Sequence, residues 1–99
     1  MEKKRLHILL VNVQPEEMTT IESTIDKDTY QLLRSSSPNE AYDFLSSEEV
    51  ALIIIDVDSP KLNWFAVVNL LKTNDRTKHI PILLITGTNI DQMMFNYPL

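Results

Sequence analysis

The chain has 99 residues, of which 43% are hydrophobic, and a formal net charge of −5. This length suits one small domain with an ordinary core, and the acidic balance argues against non-specific binding to nucleic acid or to an anionic membrane surface. The absence of cysteine excludes disulfides and thiolate metal sites, and a single glycine, Gly87, is too few for a glycine-rich phosphate-binding loop.

Four short apolar runs predict β-strands. Residues 6–13 and 50–55 are apolar on both faces, which is typical of strands buried on both sides in a parallel sheet. Residues 30–34 are less apolar and are expected at a sheet edge, and residues 80–86 form the last run. The run 50–55 ends abruptly at Asp56, and the two-residue alternation of an extended chain predicts that Asp58 points to the same side.

Three helices are predicted between these strands. The first begins at Pro15, with Glu16 and Glu17 in its first turn, where acidic residues complement the helix dipole and are expected to be solvated. The second begins at Pro38, with Ser37 as its cap. The third covers residues 63–72, and its wide apolar face, which includes Trp64 and Phe65, predicts a core helix. Residues 89–95 could add one or two further helical turns.

This alternation of strands and helices predicts an α/β fold in which helices cover both faces of a parallel sheet. Ligand sites in such sheets lie at the carboxyl ends of the strands. Asp56 therefore becomes the first candidate site residue, because it stands where a buried strand gives way to a loop.

Several short motifs also occur in a characteristic order along nearly the whole chain. They are Ile8-Leu-Leu-Val followed by Pro15, Pro38-Asn-Glu-Ala, Leu52-Ile-Ile-Ile-Asp-Val followed by Pro60, Phe65 in the third helix, and Lys78-His-Ile-Pro-Ile leading to Thr86-Gly87. Together these motifs resemble a response-regulator receiver domain, the phosphoacceptor module of two-component signalling. The resemblance implies a flavodoxin-like three-layer sandwich with a four-stranded parallel sheet in the order 2-1-3-4.

The resemblance also implies roles for individual residues. Asp56 falls on the phosphoacceptor position, and Thr86 falls on the position whose hydroxyl hydrogen-bonds the phosphoryl group. The pair of acids that helps such domains hold Mg²⁺ falls on Asn12 and Val13, so only Asn12, Asp56 and a substitute oxygen from Asp58 remain for a metal. We therefore expect no cofactor, or weakly bound Mg²⁺. The lysine that pairs with the phosphoryl group has no candidate, since no Lys or Arg follows Lys78.

Only 12 residues follow Gly87, fewer than a receiver domain has after its Thr-Gly turn. The expectation is a single receiver-like domain over residues 1–99, the N-terminal part of a longer receiver or multidomain protein, with the last strand and helix missing or abbreviated. The fourth strand would then be an apolar sheet edge, which favours self-association.

The leading functional hypothesis is a non-enzymatic, cytoplasmic signalling module that has lost, or only weakly retains, phosphorylation. It would bind a protein partner, namely a sensor kinase, an output domain or a second copy in a homodimer, and neither nucleic acid nor a membrane. The alternative is a working receiver phosphorylated on Asp56 by a histidine kinase. A remote alternative is a fragment of a haloacid-dehalogenase-type phosphatase, in which Asp56 would be the nucleophile, Asp58 the general acid and Thr86 the phosphoryl ligand.

Overall fold

The computed structural model describes residues 5–58 and 63–85, which form four strands and three helices in strict alternation. The elements are β1 (Leu6–Val11), α1 (Pro15–Thr24), β2 (Tyr30–Ser35), α2 (Pro38–Ser47), β3 (Val50–Asp56), α3 (Trp64–Thr73) and β4 (Ile82–Ile85). All strand pairs are parallel, in the order β2-β1-β3-β4, as the resemblance to receiver domains predicted.

The central strands divide their side chains between two separate apolar cores, because successive side chains of a strand point to opposite faces. One core contains Leu9, Val11, Ile53 and Ile55 and is completed by residues of α2 and α3, such as Ala41, Val68 and Leu71. The other contains Ile8, Leu10, Ile54 and Ile85 and is completed by Ile21 of α1. Side chains of β3 with even numbers therefore face α1, and this alternation decides the direction of Asp56.

The helix starts follow local capping chemistry. The Ser37 hydroxyl accepts a hydrogen bond from the Glu40 N–H at 3.1 Å, with Pro38 in the first turn, as the sequence predicted. Asn63 caps α3 by accepting from the Ala66 N–H at 3.2 Å. At α1, Gln14 takes the cap position and Pro15 begins the helix.

Two details of the predicted elements were wrong. β1 ends at Val11 and does not reach residue 13, because Asn12 adopts a left-handed conformation with φ of 57° that breaks the extended chain. Phe65, predicted to lie in the core, has 54% of its surface exposed, since the buried stripe of α3 runs through Val68 and Leu71.

Some expectations lie outside the described residues. These are the possible helical turns at 89–95, the end of the fourth strand at Thr86, and the abbreviated last strand and helix. Among the helices that are described, none combines the length and the apolar character that spanning a bilayer requires.

Candidate functional site

Asp56 is the last residue of β3 and lies at the carboxyl edge of the sheet. Its side chain points to the α1 side, because it follows Ile54 by two residues, and it is only 3% exposed. In the sheet register Asp56 is opposite Ile85, the residue before Thr86. Thr86 itself lies outside the described residues, so the structure describes no contact of its hydroxyl.

β3 ends at Asp56, so the strand alternation that predicted Asp58 on the same side as Asp56 does not extend to residue 58. The chain turns immediately after β3, and the Asp58 backbone N–H donates to Asp56 Oδ1 at 2.9 Å. This is a local turn in which an aspartate side chain binds the backbone two residues on. Its effect is to fix the Asp56 carboxylate while Asp58 is exposed to solvent.

Glu17, on the first turn of α1, is the unexpected member of the site. Its place in an acidic first turn predicted a solvated side chain, but Glu17 is 5% exposed and that prediction was wrong. Its Oε1 accepts a hydrogen bond from the Gln14 N–H at 3.0 Å, which closes the start of the helix. Its Oε2 is buried and accepts no hydrogen bond from any other residue that the structure describes.

The Glu17 carboxyl lies within hydrogen-bonding reach of Asp56, and its pKa shows the effect of this neighbour. Burial is the largest cause that raises the pKa of Glu17 from 4.5 to about 7, and the nearby charge of Asp56 raises it further. The Gln14 N–H acts in the opposite direction by stabilising the ionised form. Two carboxylates cannot hydrogen-bond each other, so the contact becomes a hydrogen bond only when the pair holds a proton.

Asn12 and Val13 occupy the loop between β1 and α1. The Asn12 N–H donates to the Ser35 carbonyl at 2.9 Å, and asparagine tolerates the left-handed conformation better than most residues. The Val13 side chain is buried in the same core as Ile21 and offers no ligand atom. A cavity of about 310 Å³ opens at this edge of the sheet, lined by Asn12, Val13, Gln14, Arg34, Ser35, Ser36, Ser37 and Pro38.

Arg34 lines this cavity, but Lys72 and Lys78 lie away from Asp56. Lys72 Nζ donates to the Ile80 carbonyl at 3.2 Å, just before the amino end of β4. Asp56 lies at the other edge of the sheet, where the strands have their carboxyl ends. Lys78 forms an ion pair with Asp75 at 3.1 Å in the same loop. Neither lysine can neutralise charge at Asp56 from these positions.

The residues expected to hold Mg²⁺ fit that ion only in part. Mg²⁺ prefers carboxylate oxygens in a near-octahedral arrangement. Of the predicted set, Asn12 is neutral, Asp58 is exposed beyond the turn, and only Asp56 is a buried carboxylate. Within residues 5–58 and 63–85, no group of three or more His, Cys, Asp or Glu side chains is arranged as a metal site. The orphaned Glu17 Oε2 next to Asp56 is the one observation that favours a cation.

The sequence contains a pattern that indicates the burial of Glu17, although acidic residues in a first helical turn are usually solvated. Met18, Ile21 and Ile25 recur at the spacing of a buried helix stripe, and a step of four residues back from Ile21 leads to Glu17. The same spacing therefore places Glu17 on the face that packs against the sheet.

Comparisons with known proteins agree with this fold. No family model matches the chain. The chain is 25% identical over 80 residues to the polar-differentiation response regulator DivK of Brucella anthropi, covering 81% of this chain and 65% of DivK. It is 26% identical over 80 residues to a probable cyclic di-GMP phosphodiesterase of Vibrio cholerae, of which it covers 18%. The chain thus spans slightly under two thirds of DivK and less than a fifth of the phosphodiesterase.

Solved structures give the same result. The signal receiver domain of a histidine kinase from Syntrophus aciditrophicus is 29% identical, with a TM-score of 0.68, over 84% of this chain and 63% of that chain. The chemotaxis response regulator CheY4 of Vibrio cholerae has a TM-score of 0.69 at 21% identity, over 90% of this chain and 75% of that chain. The chain is therefore a relative of response regulators and has the flavodoxin-like fold of their receiver domains.

Proposed function

We propose that this protein is a receiver-type signalling module that acts through protein–protein contacts and has lost ordinary phosphorylation of Asp56. The observation that supports this most directly is the carboxyl contact between Asp56 and Glu17. Phosphoryl transfer depends on cations that neutralise the charge of the transferred group. Among the described residues, an ionisable neighbour of the acceptor position is another acid, Glu17.

The size of the repulsion between Glu17 and a charged group at Asp56 favours the loss of phosphorylation. The whole rise in the pKa of Glu17, from 4.5 to about 7, corresponds to about 3 kcal/mol, and the charge of Asp56 supplies a smaller part of it than burial does. A phosphoryl group on Asp56 would carry up to two negative charges next to Glu17. The acidic side chains that would recruit a compensating metal after β1 are replaced by Asn12 and Val13. The burial of Asp56 is a further obstacle, since a donor must reach its carboxylate.

The proposed partners are a sensor kinase, an output domain or a second copy of the chain. Exposed apolar side chains on the helices offer contact points, namely Tyr42 on α2 and Phe65 and Leu70 on α3. The relative DivK is named a response regulator, and on this basis the proposal gives this chain a role in two-component signalling.

The test is incubation of the purified protein with acetyl phosphate and Mg²⁺, followed by intact-protein mass spectrometry. A working receiver of comparable size serves as the positive control, and Asp56→Asn reports any modification at other residues. The proposal predicts no phosphorylated species above that of Asp56→Asn. A phosphorylated fraction that disappears in Asp56→Asn would refute it and support the alternative, a receiver phosphorylated on Asp56.

A further inference from the structure

The sheet face that α1 covers is less completely packed than the opposite face. Among the described helices, α2 and α3 complete one apolar core, whereas α1 alone completes the other. The strand β4 shows the difference, because its side chains alternate between the two faces. Ile82 and Leu84 belong to the core under α2 and α3 and are at most 1% exposed, whereas Leu83 lies on the α1 side and is only partly buried. Apolar surface of β4 is therefore left uncovered beside α1.

An apolar groove, which we call the α1 groove, lies at this uncovered surface. It is a cavity of about 130 Å³ between α1 and the sheet, lined by six aliphatic side chains and two threonines, among them Ile21, Leu52, Leu83, Thr20 and Thr24. Both threonine hydroxyls donate to carbonyl groups of α1 itself, at 3.3 Å for Thr20 and 2.8 Å for Thr24. Because no charged residue lines the groove and both hydroxyls are bonded, it suits an apolar occupant.

We propose that residues 90–97 of the same chain form a helix that packs its apolar side into the α1 groove. These residues lie outside the described part of the chain, but their sequence has the spacing of one helix face. Apolar residues recur at i, i+3, i+4 and i+7, namely Ile90, Met93, Met94 and Tyr97. Gln92 falls on the other side of such a helix, and Pro98 ends it. Methionines suit a narrow groove, because their flexible side chains fill irregular gaps.

The lengths of the two segments allow this packing. Each residue of a strand advances the chain by about 3.3 Å, so the four residues of β4 span about 13 Å. A helix over residues 90–97 is about 12 Å long, which matches the strand that it would follow back across the sheet. Residues 86–89 are left for the reversal of direction, and among them Gly87 gives the backbone the freedom that a tight turn requires.

The opposite face of the sheet offers this helix less apolar surface. Ile82 and Leu84 are already buried there, whereas on the α1 side the helix would cover Leu52 and Leu83, which are both partly buried. With the α1 groove filled by its own chain, the protein would offer partners the exposed side chains of α2 and α3. This packing does not depend on phosphorylation of Asp56 and so goes beyond the function proposed above.

The test uses the whole chain with a single nitroxide spin label at one of two sites. The chain has no cysteine, so one introduced cysteine carries the only label. Ser23→Cys places the label on an exposed position of α1 next to Thr24, and Asn69→Cys is the matched control on an exposed position of α3. The broadening of the amide signals of residues 90–97 is compared by NMR. A mixture of labelled chains with unlabelled, isotope-enriched chains reports contacts between copies.

We expect the label at residue 23 to broaden these signals strongly and the label at residue 69 to leave them nearly unchanged. Met94→Lys should abolish the broadening from residue 23, because it brings a charge to the apolar groove. Gln92→Lys adds the same charge to the other side of the helix and should retain the broadening. Stronger broadening from residue 69, or equal or absent broadening from both sites, would overturn the proposal. Broadening that the mixture reproduces would also overturn it, since a second copy would then fill the groove. No phosphoryl group takes part, so the function proposed above is tested separately.

Discussion

Replacing Glu17 by glutamine removes one titrating carboxyl group from the interior without changing the shape of the side chain. In the folded protein the pKa of Glu17 is raised from 4.5 to about 7, so the folded state holds this proton more tightly than the unfolded chain. The resulting stabilisation is complete below pH 4.5 and is lost as the pH rises through 7. At about 1.4 kcal/mol for each pH unit, the loss is at most about 3 kcal/mol.

Glu17→Gln should be free of this loss, since an amide can both accept from the Gln14 N–H and donate to Asp56 at any pH. We expect the two proteins to have similar free energies of unfolding at pH 4.5 to 5. At pH 8 the variant should be more stable by about 1–3 kcal/mol, because there the wild type buries two carboxylates side by side. Urea unfolding in metal-free buffer, followed by the fluorescence of Trp64, measures the difference.

Comparing two proteins at each pH removes the contribution of every other titrating group, since all of them are shared. Glu16→Gln is the matched control and should follow the wild type, because Glu16 is exposed on the same turn. If the difference between wild type and Glu17→Gln is the same at pH 5 and pH 8, then Glu17 is not the buried, proton-binding partner of Asp56.

Four further predictions follow from particular contacts. Ser37→Ala removes the cap of α2 and should cost about 1 kcal/mol in urea unfolding, whereas Ser46→Ala, near the exposed end of the same helix, should cost clearly less. At Asn12, where φ is 57°, a change to Gly should be tolerated, but a change to the β-branched Val should cost about 1–2 kcal/mol, measured the same way. Since β4 is an edge of the described sheet, sedimentation should show association that increases with concentration, and a monomer at all concentrations would exclude it. With an aryl phosphate and Mg²⁺, the protein should show no more hydrolysis than Asp56→Asn; turnover above that level would revive the phosphatase alternative.

Much of the fold follows from local patterns that are strong in this sequence. Apolar runs of strand length between helix signals dictate the alternation of elements, and Ser37 with Pro38 specifies the start of α2. The strand order 2-1-3-4 was implied by the family resemblance and not by these patterns, because periodicity alone says nothing about which strands are neighbours. The position of Asp56 at the carboxyl edge of the sheet could be predicted, since it follows directly from the end of the apolar run.

The contact between Glu17 and Asp56 could not be predicted in the same way. A glutamate in the first turn of a helix is usually solvated, and this general rule led to the prediction that Glu17 is exposed. The helical spacing from Ile25 through Ile21 to Glu17 indicated burial instead. The partner lies on a strand far along the chain, so no local pattern links the two residues. The prediction for Asp58 rested on the alternation of side chains, which holds only within a strand, and β3 stops at Asp56.

The central position of β1 has a consequence for the order in which the chain can fold. β1 pairs with β2 on one side, beginning with Leu6 and Tyr30, and with β3 on the other, where Ile8 lies opposite Leu52. None of these pairs is a hairpin, so each must close a long loop before its hydrogen bonds form. β1 is therefore paired on both sides only after β3 has been synthesised. Parallel pairings of this kind fold slowly compared with local ones, and until β3 arrives one apolar edge of β1 stays open to association with other chains.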